Sequence, residues 1–234
     1  MTKVELLKKL KEIKDMGFVP TKRVGTTGIG HTFESLLGLK ENNIAIPDIG
    51  ARVEIKTARK SSESLITLFT FNKGVWKIKQ KDIIEKYGYL DQKGRKALKN
   101  TLFCEKSSSS NLFLALDEEN NIINIVGVQD NNIVGAYDML IIISKFYAKL
   151  SRVLFCLADS KIVNGIENFH YNKFYLLSDT SPKKFIKAFK NKYVGIDIRM
   201  HLKENGSVRN RGTAFRIKEK NFTALYENIE KLSI

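Results

Sequence analysis

A short segment near residue 50 combines the residue types used in metal-dependent phosphodiester chemistry. Asp48 precedes Glu54 by six residues, and Lys56 follows two residues later. The segment after Gly50 alternates as a β-strand does, so Glu54 and Lys56 would point to the same face. Because a carboxylate and an ammonium are costly to desolvate on a buried strand, this placement predicts a chemical role for both.

The chemistry that these groups favour is hydrolysis assisted by a divalent ion. Two carboxylates and one carbonyl supply the hard oxygen ligands that Mg²⁺ prefers, so we predict that Asp48, Glu54 and the backbone of Ile55 bind Mg²⁺. Mn²⁺ and Ca²⁺ would also fit this site. The ion would polarise a phosphate and activate water, while Lys56 would orient that water or stabilise developing charge. The alternative interpretation is a surface Glu–Lys ion pair.

A further carboxylate, Glu34, lies on a short helix predicted over residues 32–39. This helix follows the glycine-rich segment 21–30 and carries apolar residues on both sides of Glu34. An inward-packing helix would bring Glu34 to the pair of strands predicted around Asp48 and Glu54. An exposed helical carboxylate is the other interpretation of the same pattern.

Residues 194–218 alternate as a β-hairpin with one polar face. Apolar residues from Val194 to Leu202 would face one way, opposite the polar set. Asn205-Gly206 predicts a two-residue type I′ turn, which would place residue 201 opposite 210 and residue 199 opposite 212. That register leaves Arg209 and Arg211 on the apolar side, so we expect a bulge or a wider loop to turn them outward.

The polar side chains of this hairpin have the hydrogen-bonding groups that read base edges. The predicted base-recognition residues are Asp197, Arg199, His201, Asn210, Arg211 and Arg216. Arginine can bridge O6 and N7 of guanine, aspartate can accept from N4 of cytosine, and Asn or His can contact a neighbouring base. A solvated polar surface is the alternative.

The charge balance favours a polyanionic partner. Forty Lys+Arg residues against 25 Asp+Glu residues give a formal net charge of +15, which points to nucleic acid or to an anionic membrane face. A lysine-rich surface that only reflects genome composition would give the same charge. Four residues around the glycine-rich segment are expected to contact DNA phosphates, namely Lys22, Arg23, Thr27 and Gly28.

The elements that must position these groups indicate a mixed α/β chain. Hydrophobic residues make up 43% of the sequence, enough for a buried core. Thr2 and Glu5 form a capping-box pattern at the start of a first helix, and a closing helix is predicted over 221–232. Segments 101–105 and 111–117 flank a run of serines and predict a hairpin. A dinucleotide-binding fold is disfavoured, since no G-x-G-x-x-G follows a strand.

The cellular setting predicted from the sequence is the cytoplasm. The first residues alternate charged and apolar side chains at helical spacing, unlike a signal peptide. No apolar run reaches the roughly 18 residues of a membrane span. Cys104 and Cys156 are too few for a disulfide framework or a zinc site. We therefore expect a cytoplasmic protein without membrane contact.

These motifs, in their order along the chain, resemble the MvaI/BcnI restriction endonuclease family. The matching segments are Gly25-x-Thr27-Gly28-Ile29-Gly30-x-Thr32-Phe33-Glu34, Pro47-Asp48, Glu54-Ile55-Lys56-Thr57, Gly195-Ile196-Asp197-Ile198-Arg199 and Gly212-Thr213-Ala214-Phe215-Arg216-Ile217. The family shares its fold with the MutH-type nicking endonuclease, within the PD-(D/E)xK nuclease superfamily. The resemblance implies an active centre of four residues: Glu34, Asp48, Glu54 and Lys56.

The resemblance also implies a fold with separate catalytic and DNA-recognition lobes. The expected fold is α/β, a mixed β-sheet flanked by helices in a MutH-like arrangement, with catalytic and DNA-recognition lobes around a cleft. The catalytic lobe would span residues 1–150 with active-site strands over 46–57. The recognition lobe would span residues 151–234 with the hairpin over 194–218.

The implied activity is that of a Mg²⁺-dependent type II restriction endonuclease acting on double-stranded DNA at a CC-N-GG-type sequence. The expected enzyme is a monomer that cuts the two strands in succession, with a cognate DNA methyltransferase as its genetic partner. Some relatives carry histidines where this chain has Arg209 and Arg211, which leaves the central base open.

Two other functions are consistent with the sequence. One is a MutH-like repair endonuclease that nicks a single strand. The other is a catalytically inactive, sequence-specific DNA-binding module, against which the complete set of four active-site residues argues.

Overall fold

The structure is a computed structural model that describes residues 2–39, 47–60, 64–71 and 75–234. Its mixed α/β composition confirms the predicted fold class, although the described strands form three sheets rather than one. In chain order the elements are α1 (Lys3–Asp15), β1 (Val19–Pro20), α2 (Gly28–Leu36), β2 (Glu54–Arg59), β3 (Leu65–Phe71), α3 (Gln80–Tyr87), β4 (Tyr89–Leu90), β5 (Lys96–Leu102), β6 (Leu112–Asp117), β7 (Ile122–Gly127), β8 (Ile133–Asp138), α4 (Met139–Leu150), β9 (Arg152–Val163), β10 (Ile166–Ser178), α5 (Pro182–Lys190), β11 (Val194–Leu202), β12 (Val208–Asn210), β13 (Thr213–Lys218), a 3₁₀ helix (Glu219–Leu225) and β14 (Asn228–Lys231).

The chain divides into two compact units that are built from interleaved segments. Unit one contains Met1–Ile66, Tyr147–Ser181 and Phe222–Ile234, and unit two contains Thr67–Phe146 and Pro182–Asn221. Each unit therefore draws on residues from both sides of position 150, unlike the contiguous ranges expected for the two lobes. The assignment of catalysis to one lobe and of recognition to the other stays a prediction.

The sheet of unit one is built on the long antiparallel hairpin of β9 and β10. Asn164 and Gly165, both with positive φ, form the turn that joins these strands. β2 pairs in parallel with β9, with Glu54 beside Val153. Strand order is β1-β10-β9-β2, with β14 also on β10. The strand that carries Glu54 and Lys56 therefore lies at the edge of the sheet that the described residues form.

The core of unit one lies between this sheet and the first two helices. Ile29 and Phe33 of α2 pack in one apolar cluster with Ile55 of β2 and Tyr171 of β10. The Tyr171 hydroxyl donates to the carbonyl of Ile29 at 2.8 Å. Since side chains alternate along a strand, the inward position of Ile55 places Glu54 on the opposite face of β2.

The N-terminal helix begins as the sequence predicts. Thr2 Oγ1 accepts the backbone N–H of Glu5 at 3.2 Å, and a Glu5 carboxylate oxygen accepts the N–H of Thr2 at 2.7 Å. This capping box satisfies two of the backbone donors that a helix leaves free at its start. The prediction of a capped first helix is confirmed.

Unit two contains a sheet of order β3-β13-β11-β5-β4, with β12 on β11, and a meander of β6, β7 and β8. Phe215 of β13 stacks on Phe69 of β3 at 4.8 Å between ring centroids. The predicted hairpin of 101–105 with 111–117 is wrong. The two segments meet in a parallel bridge between Cys104 and Leu114, while β5 pairs with β11, where Ile196 lies opposite Leu102, and β6 pairs with β7. β5 and β6 therefore each form backbone hydrogen bonds with a long neighbouring strand. A short hairpin of the two segments would have left their outer edges without hydrogen bonds.

The predicted closing helix over 221–232 is also wrong. The segment forms the 3₁₀ helix Glu219–Leu225 and then β14, with Ile229 opposite Leu177 of β10. Strand addition satisfies backbone groups along the edge of β10, which a helix would leave without hydrogen bonds. Tertiary pairing therefore overrides the helical periodicity at this end of the chain.

No helix among the described residues is long and apolar enough to cross a membrane. Cys104 and Cys156 are buried free thiols. The cytoplasmic location stays a prediction.

Candidate functional site

Three of the four predicted catalytic side chains lie together at the start of β2. Lys56 Nζ lies 2.7 Å from Glu54 Oε1. Asp48 Oδ2 accepts the backbone N–H of Ile55 at 2.8 Å. Burial raises the pKa of Glu54, and the nearby charge of Asp48 adds to that rise.

A tight turn produces this convergence. The Ile49 N–H donates to the Val53 carbonyl at 2.9 Å, and the Val53 N–H donates back at 3.2 Å. Gly50 and Ala51 have φ values of 56° and 57°, in the left-handed region that closes the turn. The predicted turn at these two residues is confirmed. The preceding strand, expected from residue 44, falls partly on residues 40–46, outside the described residues.

Glu54 is buried and carries an unsatisfied oxygen. Its side chain is 3% exposed, and Oε1 contacts both Lys56 and Lys149, the latter at 3.3 Å. Oε2 is buried and has no hydrogen-bond partner among the described residues. Burial raises the pKa of Glu54, while the charges of the two lysines oppose that shift. A buried acceptor without a partner costs about 1–3 kcal/mol, so this oxygen is suited to bind a cation.

Glu34 of α2 lies beside β2. A methyl group built on Gly30 would lie 3.4 Å from Thr57 Oγ1 and 3.8 Å from Glu34 Oε1, so Glu34 lies near Thr57. Alternation along β2 places Thr57 on the opposite face from Glu54. In the described part of the chain, no group of three or more His, Cys, Asp or Glu side chains is arranged to hold a metal. The structure brings Asp48 and Glu54 together, and the contribution of Glu34 to the active centre stays a prediction.

The sequence interpretation missed Lys149, the second cation on Glu54. It lies in the last turn of α4, whose apolar residues make the helix suited to a buried position. A lysine that interrupts such an apolar helix is the signal that could have identified it, because burying an ammonium is costly without a partner. Lys149 and Lys56 together neutralise the charge on one Glu54 oxygen.

The hairpin of β11 and β12 has a register that differs by one residue from the prediction. His201 lies opposite Arg209, and Met200 lies opposite Asn210. The Lys203 N–H donates to the Ser207 carbonyl at 2.9 Å, which closes a loop of three residues, 204–206, instead of the predicted two. One extra loop residue shifts every partner by one. The predicted polar set is therefore corrected: Arg209 replaces Asn210 beside His201.

Asn210 and Arg199 both hold the backbone that follows β12. The Asn210 amide donates to Gln80 Oε1 at 3.0 Å, and its Oδ1 accepts the Gly212 N–H at 2.6 Å. The Arg199 guanidinium donates to the carbonyls of Arg211 and Gly212 at 3.2 and 3.4 Å. The Arg211 side chain is exposed.

Asp197 and Arg216 form an ion pair on the same sheet. Arg216 Nη1 lies 3.1 Å from Asp197 Oδ2, and the Thr101 hydroxyl lies 3.3 Å from Asp197 Oδ1. Asp197 lies on β11 and Arg216 on β13, where Arg216 is opposite Gly195. The two predicted recognition residues are thus held in place by each other.

His201 is oriented by a pair of residues that the sequence interpretation missed. Arg95 Nη1 lies 3.3 Å from His201 Nε2, and Arg95 is held by Asp91 through two contacts of 3.2 and 2.7 Å. Arginine can only donate, so His201 Nε2 accepts and its proton lies on Nδ1. Burial and then the charges of Arg95 and Lys99 lower the pKa of His201, which keeps the ring neutral. The Asp-x₃-Arg spacing is the available sequence signal.

The glycine-rich segment is used partly for local structure. Lys22 Nζ donates to Ser35 Oγ at 2.7 Å. Gly28 donates its N–H to the Gly25 carbonyl at 3.0 Å, and a Cβ at Gly28 would lie 2.2 Å from the Arg23 carbonyl oxygen. The Gly28 N–H is therefore committed to its own loop, and close approach of the chain explains the glycine. Thr27 is exposed and makes no side-chain capping bond. Helix α2 begins at Gly28 rather than at residue 32.

An Asp followed by a Glu-x-Lys strand on a mixed α/β scaffold defines a PD-(D/E)xK-type nuclease. The chain belongs to the MvaI/BcnI restriction endonuclease family, whose family model matches residues 7–226. It is therefore a site-specific deoxyribonuclease of the restriction endonuclease type.

Two solved structures are similar over nearly the whole chain. The first is restriction endonuclease MvaI in complex with its cognate DNA substrate, at 27% identity, 99% coverage of both chains and a TM-score of 0.81. The second is MvaI in the absence of DNA, at 26% identity, coverage of 100% of this chain and 99% of that one, and a TM-score of 0.58. A search of curated protein sequences finds no match.

Proposed function

We propose that the protein is a Mg²⁺-dependent type II restriction endonuclease that cleaves double-stranded DNA at a short CC-N-GG-type sequence. The observation that carries this proposal is the buried, unpartnered Oε2 of Glu54 beside Asp48 and Lys56. A carboxylate oxygen in this position is poorly suited to a purely structural ion pair, since a structural pair would satisfy both of its oxygens.

The residues present fit a divalent metal ion. Asp48, Glu54 and the carbonyl of Ile55 would hold Mg²⁺, or Mn²⁺ or Ca²⁺ in its place, because all three are oxygen donors. When bound, the ion supplies an activated water and polarises the scissile phosphate. The hydrogen bond from the Ile55 N–H to Asp48 orients that carboxylate before any ion binds.

The two lysines on Glu54 have different proposed tasks. Lys56 shares the face of β2 with Glu54, so its ammonium can orient the attacking water or stabilise charge on the phosphate. Lys149 balances the charge of Glu54 from α4 and keeps Oε1 engaged, which leaves Oε2 for the cation. Glu34 is assigned a supporting role from α2.

Base recognition is assigned to the sheet of unit two. Arg199, Arg211, Arg216, Asp197 and His201 remain the proposed contacts, and Arg209 is added because it lies opposite His201. Asn210 is given a supporting role, since both ends of its amide are engaged. Lys22, Arg23 and Thr27 are proposed to contact phosphates. The DNA partner is supported by the similarity to MvaI in its cognate complex.

The proposed enzyme acts as a monomer that cleaves the two strands in succession. A cognate DNA methyltransferase would protect the host sequence. These features rest on the family and are part of the same proposal.

Incubation with supercoiled plasmid and Mg²⁺, followed by sequencing of the ends, tests the function. We expect linear fragments with one recurring end sequence, and none from Asp48→Ala, which should still bind DNA. Glu12→Ala is the matched control, since Glu12 is an exposed carboxylate on α1. Open circles would support the MutH-like nicking endonuclease instead. Unchanged supercoils with retained DNA binding would support the inactive binding module.

A further inference from the structure

A pocket of 460 Å³ opens in unit one beside the turn that carries Asp48. Pro47 and Arg52, from either side of that turn, line one wall, while Tyr147 and Arg152 line another. Arg52 lies two residues before Glu54, and Arg152 immediately precedes Val153, the partner of Glu54 in the parallel ladder. The pocket is therefore built from the chain segments that surround the candidate metal ligands.

Two arginines of this pocket differ from the structural arginines of the same unit. The Arg52 and Arg152 side chains are exposed and form no ion pair with any described residue. Arg59, in contrast, donates to both carboxylate oxygens of Glu167 at 2.6 and 2.7 Å. A guanidinium offers a planar fork of donors that matches phosphate oxygens. Two guanidinium groups that form no ion pair with any described residue, in one pocket, indicate an anionic ligand.

The pocket lining contains one acidic residue, Asp179, whose single negative charge is outnumbered by the two guanidinium groups. The Asp179 carboxylate accepts a hydrogen bond from the Asn228 amide, and its backbone carbonyl accepts the Glu227 N–H at 2.8 Å. The Tyr147 hydroxyl is likewise engaged, donating to the Thr180 carbonyl at 2.7 Å. The two guanidinium groups are thus the charged donors without an ion pair among the described residues that line this pocket.

We propose that this pocket binds the backbone phosphate next to the scissile one on the strand being cut, through Arg52 and Arg152. This inference rests on the proposed nuclease function and names a substrate subsite for it. Because the phosphates of one strand are joined covalently, holding one of them restricts the position of the next. Arg52 and Arg152 are therefore positioning residues for the scissile phosphate.

A scan with single uncharged methylphosphonates around the cleavage position tests the proposal. Duplex binding is measured in Ca²⁺ and cleavage in Mg²⁺, for the wild type and for the double variant Arg52→Ala, Arg152→Ala. At one position adjacent to the cut, we expect the substitution to weaken the wild type by about tenfold to a hundredfold. The double variant should show that weakening on natural DNA and no further weakening at the same position.

Controls separate a specific interaction from general electrostatics. Lys11→Ala removes one exposed positive charge from α1 and should leave the scan unchanged. The double variant should also flatten the slope of log Kd against log salt by about 1 for each phosphate that the protein no longer neutralises. Both variants should melt at the wild-type temperature, since the substituted side chains are exposed.

An unchanged methylphosphonate profile in the double variant would overturn the subsite, whatever its overall affinity. If the wild type binds DNA but never cleaves it, the proposed function fails and the subsite, which is defined by the cut, fails with it; cleavage by the wild type with an unchanged profile in the double variant overturns the subsite alone. A uniform decrease in affinity at every scanned position would also contradict the proposal, because it would reduce the two arginines to non-specific charge.

Discussion

The start of β2 and the hairpin of β11 and β12 both present charged side chains from a strand. They differ in how strongly the position of those side chains depends on the length of the adjoining turn. At β2 the turn closes through paired bonds between Ile49 and Val53, and Glu54 is buried against two lysines. On the hairpin, the partner of His201 depends on whether the loop has two or three residues. Local alternation thus places the proposed catalytic pair, whereas one loop residue decides which side chains share the proposed recognition surface.

The largest expected effect comes from removing the charge of Glu54. Glu54→Gln keeps the shape and one acceptor for Lys56 but removes the proposed anionic ligand, so cleavage should fall by at least about a thousandfold. Duplex binding without cleavage should persist. Cleavage rates in Mg²⁺ measure the first effect, and titration with labelled duplex in Ca²⁺ measures the second. Cleavage by Glu54→Gln at close to the wild-type rate would show that Glu54 is not part of the active centre.

The same variant makes the pH dependence of stability testable. Burial raises the pKa of Glu54 above its usual value of 4.5, so the unfolded state loses this proton at a lower pH than the folded state does. The contribution of protonated Glu54 to the free energy of unfolding is complete below pH 4.5. It is lost as pH rises through the higher pKa of Glu54 in the folded state. In EDTA, the Tm of Glu54→Gln minus the Tm of the wild type should therefore increase as pH rises from 4.5 through the folded pKa of Glu54. A difference in Tm that is constant with pH would contradict this.

The next largest effect should come from the loop of the hairpin. Deleting Ser207, with the three-residue loop 204–206 kept, would move the residues of β12 one position toward the turn and place His201 opposite Asn210. Removal of one or two base interactions, at about 1–3 kcal/mol each, should lower cleavage at the cognate site by about tenfold to a few hundredfold. Ser207→Ala, an exposed position with the chain length kept, should behave as the wild type. Equal cleavage by both variants would show that base recognition does not depend on the pairing of His201 with Arg209.

A smaller effect is expected at Lys149. Lys149→Met removes one of the two cations on Glu54 Oε1 and should reduce the cleavage rate by about tenfold, with little change in DNA affinity. Lys145→Met, one helical turn earlier and exposed, is the matched control. A decrease in affinity equal to the decrease in rate would instead make Lys149 a phosphate-binding residue.

The smallest effect concerns the orientation of His201. Arg95→Ala removes a charge that lowers the pKa of His201, so the pKa should rise. Both ring tautomers should then become populated, since no guanidinium would be left to donate to Nε2. Nitrogen NMR of the imidazole over a pH series measures both changes, with the His170 resonances as an internal reference. An unchanged His201 titration would show that Arg95 does not control the ring.

The clustering of the proposed catalytic residues Asp48, Glu54 and Lys56 was predictable because the relevant signals are local. Strand alternation placed Glu54 and Lys56 on one face, and Gly50 marked the turn that returns Asp48 to their side. The capping box at Thr2 is local in the same way. Lys149 and the Asp91–Arg95 pair were not predicted, because each reaches its partner across a long sequence separation that no periodicity records.

Short-range patterning in this chain was sufficient to predict that Asp48, Glu54 and Lys56 lie together on a mixed α/β chain, since those features depend on bonds between residues close in sequence, and the resemblance to a restriction endonuclease family implied the activity. Folding in three dimensions decided which strand accompanies β5, that the C-terminal segment extends along β10, and which arginine accompanies His201. Those outcomes depend on backbone hydrogen bonds and on buried contacts between distant segments, where a small free-energy difference selects among several locally acceptable pairings.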